Sequence, residues 1–91
     1  MLKQILPMYG RSIEDAINNI KNLIKNEYTR KTITIVTSKD GGKTITKRRI
    51  KKNYILNVYY DEVLNVLVIF TAVDNGTRER YFAPKDIINI Y

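Results

Sequence analysis

The sequence predicts an α+β fold in which one N-terminal amphipathic helix supports a curled antiparallel sheet of five or six strands. Apolar residues recur at helical spacing as far as residue 28, and from residue 30 onward the apolar period falls to two. In this second part β-branched residues are frequent, and short turn signals containing Gly, Asn or Pro divide the chain into strands. At 91 residues the chain has the length of one domain, so residues 1–91 are expected to fold together.

The segment SIEDAINNIKNLIKNEY predicts a helix over residues 12–28. Ser12 is a suitable N-cap, and Glu14 and Asp15 place negative charge in the first turn, where the helix dipole favours it. The apolar positions follow the spacing of one helix face, and they are Ile13, Ala16, Ile17, Ile20, Leu23, Ile24 and Tyr28. This isoleucine-rich stripe is expected to lie on the sheet.

Residues 30–52 have the pattern of a β-hairpin. The strand-like segments RKTITIVTS and KTITKRRI lie on either side of the sequence DGG, in which glycine supplies the positive φ angles that a tight turn requires. A two-residue turn at the two glycines places Ile33 opposite Ile50 and Asp40 opposite Lys43. An apolar pair and an opposite-charge pair both favour this register.

The rest of the chain continues as a β-meander. NYILNVYY alternates in polarity, and VLVIFTAV is apolar on both faces, as a central strand covered on two sides should be, with Phe70 in the core. The sequence DNG marks the next hairpin turn, and TRERYFA is the strand that follows it. A turn at residues 84–86 then precedes a last strand, IINIY.

A helix followed by a five-stranded curled sheet resembles the SH3-like or Sm-like small barrel in the order of its elements. The segment FAPKDIINIY lacks the Arg-Gly-Asp type turn of the Sm RNA-binding pattern. The resemblance therefore implies a small-barrel shape and no residue roles.

The residue types argue against catalysis. The chain has no cysteine and no histidine, so it cannot build a thiolate zinc site or a Ser-His type triad from its own residues. The segment TSKDGGKT differs from a P-loop at its first glycine, which is Thr37, and strand-like residues follow where a P-loop needs a helix. Asp61 and Glu62 are adjacent carboxylates, a pattern more typical of a solvated turn than of a divalent-cation site. We therefore expect a protein that is not an enzyme and needs no cofactor or metal.

The apolar segments are short. The longest uninterrupted apolar run, VLVIF, is far below the length that spans a bilayer, and the start of the chain lacks the apolar core of a signal peptide. A cytoplasmic location without membrane contact is expected. Open sheet edges and a small core also make a homodimer a candidate assembly.

Positive charge is concentrated in one segment of the chain. The formal net charge is +7, and residues 29–52 carry nine basic side chains and one acidic one, whereas residues 53–91 carry three basic and five acidic ones. So many like charges repel one another unless a counter-charge relieves them, and nucleic-acid phosphates supply counter-charge in a dense line. The predicted nucleic-acid-binding residues are Arg30, Lys31, Lys43, Lys47, Arg48, Arg49, Lys51, Lys52 and Tyr54. Tyr54 is included because an aromatic ring beside cations can stack on unpaired bases.

Two other interpretations use the same residues. Lysines on a strand edge also prevent pairing with other chains, and this alone would explain a charged hairpin. An acidic protein partner would complement the hairpin as well as a nucleic acid does, in the manner of small regulatory proteins from viruses and plasmids. DNA, RNA and an acidic protein therefore all stay open as partners at this point.

Overall fold

One helix and six strands make up residues 5–91, the part of the chain that the computed structural model describes. The helix is α1 (Ile13–Lys25), and the strands are β1 (Thr32–Thr37), β2 (Thr46–Lys51), β3 (Ile55–Asp61), β4 (Val66–Val73), β5 (Gly76–Phe82) and β6 (Ile87–Ile90). Short 3₁₀ helices at Lys52–Tyr54 and Pro84–Asp86 precede β3 and β6. The predicted α+β class and the predicted order of elements are confirmed. No helix in these residues is long and apolar enough to cross a membrane.

The strands form two antiparallel sheets of three strands each, in the orders β2-β1-β6 and β3-β4-β5. The sheet that was predicted as one curled unit is thus divided in two. The division falls at Lys52–Tyr54 and Pro84–Asp86, because these 3₁₀ helices interrupt the strands where the chain passes from one sheet to the other. Within residues 5–91 no strand ladder closes the two sheets on each other, so the SH3-like barrel is not confirmed.

Side-chain hydrogen bonds mark both ends of α1. The Ser12 hydroxyl accepts a hydrogen bond from the Asp15 backbone N–H at 3.1 Å, which confirms the predicted N-cap. At the other end the helix stops before the predicted boundary at residue 28. Asn26 Oδ1 accepts from the Tyr28 N–H at 3.0 Å, and the Thr29 hydroxyl donates to the Asn26 carbonyl at 2.8 Å, so the chain turns away. Tyr28, which was expected on the apolar face, is consequently 96% exposed.

The core lies between α1 and the inner faces of the two sheets. Its buried members are Leu6, Ile13, Ala16, Ile17, Ile20, Ile33, Ile35, Ile50, Val58, Leu67, Ile69, Phe82, Ile87 and Ile90. Burying one such aliphatic side chain contributes about 1.5–3 kcal/mol, so the isoleucine stripe is the main attachment of the helix. Phe70 is only half-buried and lies outside this cluster, because adjacent strand positions alternate and Ile69 occupies the inner face.

The β1-β2 pairing has the predicted register, with Ile33 opposite Ile50. The ladder ends where Thr37 lies opposite Thr46, and residues 38–45 form a loop. The prediction of a two-residue turn at the glycines is therefore wrong, although the alignment of the two strands is right.

Hydrogen bonds to Ser38 and Asp40 replace the expected turn. Asp40 Oδ1 accepts from the Ser38 hydroxyl and from the Thr44 N–H, both at 2.7 Å, and Ser38 Oγ accepts from the Gly42 N–H at 2.9 Å. The hydrogen bonds that Asp40 accepts, above all the one from the Thr44 N–H, lower the pKa of Asp40 to about 2. Gly41 and Gly42 have φ values of 73° and 100°, which L-residues rarely adopt. These side-chain-to-backbone bonds compete with strand pairing and end the ladder early.

Candidate nucleic-acid interface

Strand β2 is an edge strand, since it pairs with β1 and with no other strand in residues 5–91. Ile50 faces the core and is 4% exposed, so the alternate positions Lys47, Arg49 and Lys51 point away from the core, and all three are exposed. Alternate residues of a strand lie about 6.5–7 Å apart, which sets three cations in a line along the edge. We call Lys47, Arg49 and Lys51 the basic row.

The strands beside the basic row present no carboxylate to it. Thr32, Thr34 and Val36 of β1 lie opposite the three basic residues, and Asn89 of β6 lies opposite Val36 on the far side. An acidic residue at any of these cross-strand positions would partly neutralise the row. The positive charge of the row is therefore not offset by its neighbours in the sheet.

Four further predicted residues surround the two ends of the basic row. At one end, Lys51 Nζ lies 5.7 Å from the centre of the Tyr54 ring, within the range of a cation–π contact, and Tyr54 is 52% exposed. Arg30 and Lys31 are also exposed at this end, directly before β1, whose first residue pairs with Lys51. Lys43 lies at the other end, in the exposed loop between β1 and β2 and not on the strand.

Lys52 is in a different environment from the other predicted residues. Its ammonium group donates to the carbonyl oxygens of Leu23 at 3.3 Å and Asn26 at 2.7 Å, and to the Thr29 hydroxyl at 3.1 Å. An ammonium has three N–H donors, and each of them has an acceptor here. The half-buried Lys52 therefore stabilises the C-terminal end of α1, where the helix dipole favours a positive charge.

Arg48 lies on the opposite face of β2 from the basic row, in register with the buried Ile35. There it lines a cavity of about 750 Å³ together with Arg78 and Arg80 of β5. Sequence reasoning missed both β5 arginines because residues 53–91 carry more acidic than basic side chains. A signal was available, since alternation in TRERYF places Arg78 and Arg80 on the same face as the buried Phe82.

The outer face of the second sheet carries tyrosines and an acid. Tyr59 and Tyr81 flank Val68 in the strand register, and the Tyr59 hydroxyl donates to Glu79 Oε2 at 3.2 Å. Partial burial, together with the charge of Glu79, raises the pKa of Tyr59, and Glu79 also raises the pKa of Tyr81. A carboxylate in the middle of this face makes it a poor surface for phosphates.

The adjacent carboxylates Asp61 and Glu62 lie where β3 turns toward β4. Asp61 Oδ1 accepts hydrogen bonds from the backbone N–H groups of Val63 at 3.0 Å and Leu64 at 3.1 Å, so it holds this turn. In the described residues 5–91, no group of three or more acidic side chains is placed to hold a metal ion.

These features define a small α+β protein with a basic sheet edge and an arginine-lined cavity behind that edge. No protein family, no curated protein and no solved structure matches this chain. Its function is therefore inferred from the chemistry of its surface.

Proposed function

We propose that this chain is a nucleic-acid-binding protein without enzymatic activity, which contacts phosphates through the basic row largely independently of sequence. The observation that carries the proposal is the geometry of the row: three exposed cations in a line on a free strand edge, with no acidic side chain opposite them. Arg30, Lys31 and Lys43 extend the contact surface at its ends, and Tyr54 offers a ring on which an unpaired base can stack.

Counterion release supplies the affinity in this proposal. Each cation that neutralises a phosphate releases condensed counterions, which lowers the slope of log K against log salt by about 0.9 for duplex DNA and about 0.7 for a single strand. Three contacts from the basic row therefore correspond to a slope of about −2.7 on a duplex and about −2.1 on a single strand. A salt series on a ligand of known kind thus counts the contacts.

We also propose the small-barrel shape that the order of elements predicts. Two three-stranded sheets around one core, joined by short 3₁₀ helices, support it. The cytoplasmic location and the homodimeric state stay predictions.

Fluorescence anisotropy with labelled duplex DNA, single-stranded DNA and RNA tests the main proposal. The test variant changes all three residues of the basic row to glutamine. The matched control removes the same charge from exposed positions elsewhere, at Lys21, Lys25 and Lys85. We expect the row variant to lose at least about a hundredfold in affinity at 0.1 M salt, and the control to lose less than about fivefold. Equal losses in both variants would refute a site at the row and would indicate a diffuse effect of net charge.

An acidic protein partner is the second candidate, because within residues 5–91 β2 is an edge strand as well as a basic one. An extended acidic segment can pair with the backbone of an edge strand while its carboxylates meet the cations. Absence of binding to all three nucleic acids at low salt would favour this candidate, and a pull-down that depends on the basic row would then identify the partner.

A further inference from the structure

A second cluster of basic side chains lies behind the basic row, between the two sheets. Arg48 comes from β2, and Arg78 and Arg80 come from β5, which is the edge strand of the other sheet. Arg48 lies opposite Ile35 and Arg80 lies opposite Ile69, and both isoleucines belong to the buried core. The three guanidinium groups therefore project from inward-facing strand positions into a shared cavity of about 750 Å³, which we call the inter-sheet cleft.

Arg80 is the most informative residue of the inter-sheet cleft. Its Nε is buried and has no hydrogen-bond partner among residues 5–91. A buried donor that lacks an acceptor is destabilising, and a donor on a charged group more so, so such groups are rare in folded proteins. Arg80 also lines a neighbouring cavity of about 350 Å³.

The remaining lining of the inter-sheet cleft is mixed: Lys39 adds a further cation, and Tyr81, Phe82 and Ala83 also form part of the wall. Hydroxyl groups come from β1, β2 and the loop between them, at Thr37, Ser38, Thr44 and Thr46. Three acidic residues, Asp40, Glu79 and Asp86, also line it. Asp40 already accepts from Ser38 and Thr44, and Glu79 accepts from Tyr59 on the outer face of the sheet. Asp86 is thus the carboxylate that competes most directly with an anionic ligand for the arginines.

We propose that the inter-sheet cleft is a binding site for a phosphate group, held by Arg48, Arg78 and Arg80. Guanidinium groups present planar pairs of N–H donors that match the oxygens of phosphate, and three of them can surround a group with several terminal oxygens. A cavity of about 750 Å³ has the size of a small-molecule site and admits a nucleotide or the phosphorylated end of a strand, whereas a duplex does not fit. The site lies on the opposite face of β2 from the basic row, so the proposal of a phosphate site does not depend on whether the row binds nucleic acid.

NMR titration of the whole protein with inorganic phosphate tests this site. The probe signals are the side-chain Nε–H resonances of Arg48 and Arg80, and sodium chloride at matched ionic strength is the control for screening. Phosphate is expected to shift both resonances along a saturable curve, and chloride to leave them in place. Shifts that fail to saturate, or that are the same in chloride, would overturn the proposal.

A pair of variants separates the cleft from a general effect of charge. Arg48→Gln is expected to weaken phosphate binding at least about tenfold, because it removes one of the three charged donors. Lys21→Gln removes the same charge from an exposed position on α1 and is expected to change phosphate binding less than about twofold. Equal weakening in the two variants would refute a built site. Arg48 is exposed, so this test does not depend on the folding of an Arg80 variant.

Two further measurements identify the source of the phosphate and the role of Asp86. A single-stranded oligonucleotide with a terminal phosphate is compared with the same strand without it, and with a free mononucleotide. A preference for the phosphorylated strand indicates a strand end, and equal binding of the mononucleotide indicates a small molecule. Asp86→Asn is expected to tighten phosphate binding, since it removes a negative charge from the wall. Weaker binding in this variant would mean that Asp86 supports the cleft instead of competing with the ligand, contrary to the proposal.

Discussion

Replacing Lys52 by methionine is expected to destabilise the fold without weakening nucleic-acid binding, whereas the same change at its neighbour Lys51 is expected to do the reverse. Lys52 Nζ has three acceptors at the end of α1, and the strongest contact is the one to the Asn26 carbonyl at 2.7 Å. A hydrogen bond from a charged donor contributes about 1.5–3 kcal/mol, and partial solvent exposure favours the lower end of that range. A loss of about 1.5 kcal/mol lowers the Tm of a domain of this size by about 6–12 °C.

Thermal unfolding followed by circular dichroism measures the first half of this prediction, and the salt dependence of anisotropy measures the second half. Methionine keeps the length of the lysine stem, so both variants differ from the parent mainly by one ammonium group. Lys51→Met should change Tm by less than about 2 °C and reduce the salt slope by about 0.9 on a duplex. A reduced slope in Lys52→Met, or an unchanged Tm, would refute the assignment of Lys52 to the helix end.

Three other predictions follow from the loop, the core and the second sheet. The Asp40 carboxylate should titrate by NMR with a midpoint near 2, because its pKa is lowered to about 2. The ionised carboxylate therefore stabilises the loop fully at pH values above 3.8, the ordinary pKa of the group, and this stabilisation is lost as the pH falls through 2. Ile17→Asp should unfold the domain, since Ile17 is 8% exposed in the core, whereas the same change at the half-buried Phe70 should leave a folded protein with a reduced Tm. Glu79→Gln should lower the spectrophotometric titration midpoint of Tyr59, because Glu79 contributes to its raised pKa.

Local sequence patterns predict those parts of this fold that depend on near neighbours. The helix period, the Ser12 cap and the β1-β2 register all follow from residues close together in the chain or from an apolar pair such as Ile33 and Ile50. Two of the errors arise where side chains reach the backbone. Hydrogen bonds that Asn26 accepts and Thr29 donates end the helix early, and those of Ser38 and Asp40 replace a tight turn by a loop.

The candidate site also contains features that local sequence patterns predict and features that they do not. The basic row was predictable, because charge density and strand alternation are both visible along the chain. Lys52 was assigned to the phosphate-binding set from its charge alone, since its contact with Leu23 spans 29 positions and no local pattern encodes it. Arg78 and Arg80 were missed because each is separated in sequence from Arg48, and only the packing of one sheet on the other brings them to a common cavity.

Because side chains alternate between the two faces of β2, its basic residues form two different surfaces, which the net charge alone does not show. A run of consecutive basic residues in a loop would present one diffuse positive surface, whereas in a strand Arg48 and Arg49 point to opposite faces. The outward face is a straight, open row, which suits a repeating polyanion whose phosphates can be engaged in any register. The inward face lines a cleft shared with a second strand, which suits one phosphate group of defined position. Replacing these two neighbouring arginines is therefore expected to have different effects. Loss of Arg49 should change the salt dependence of binding to a polymer, and loss of Arg48 should change the affinity for a single phosphate.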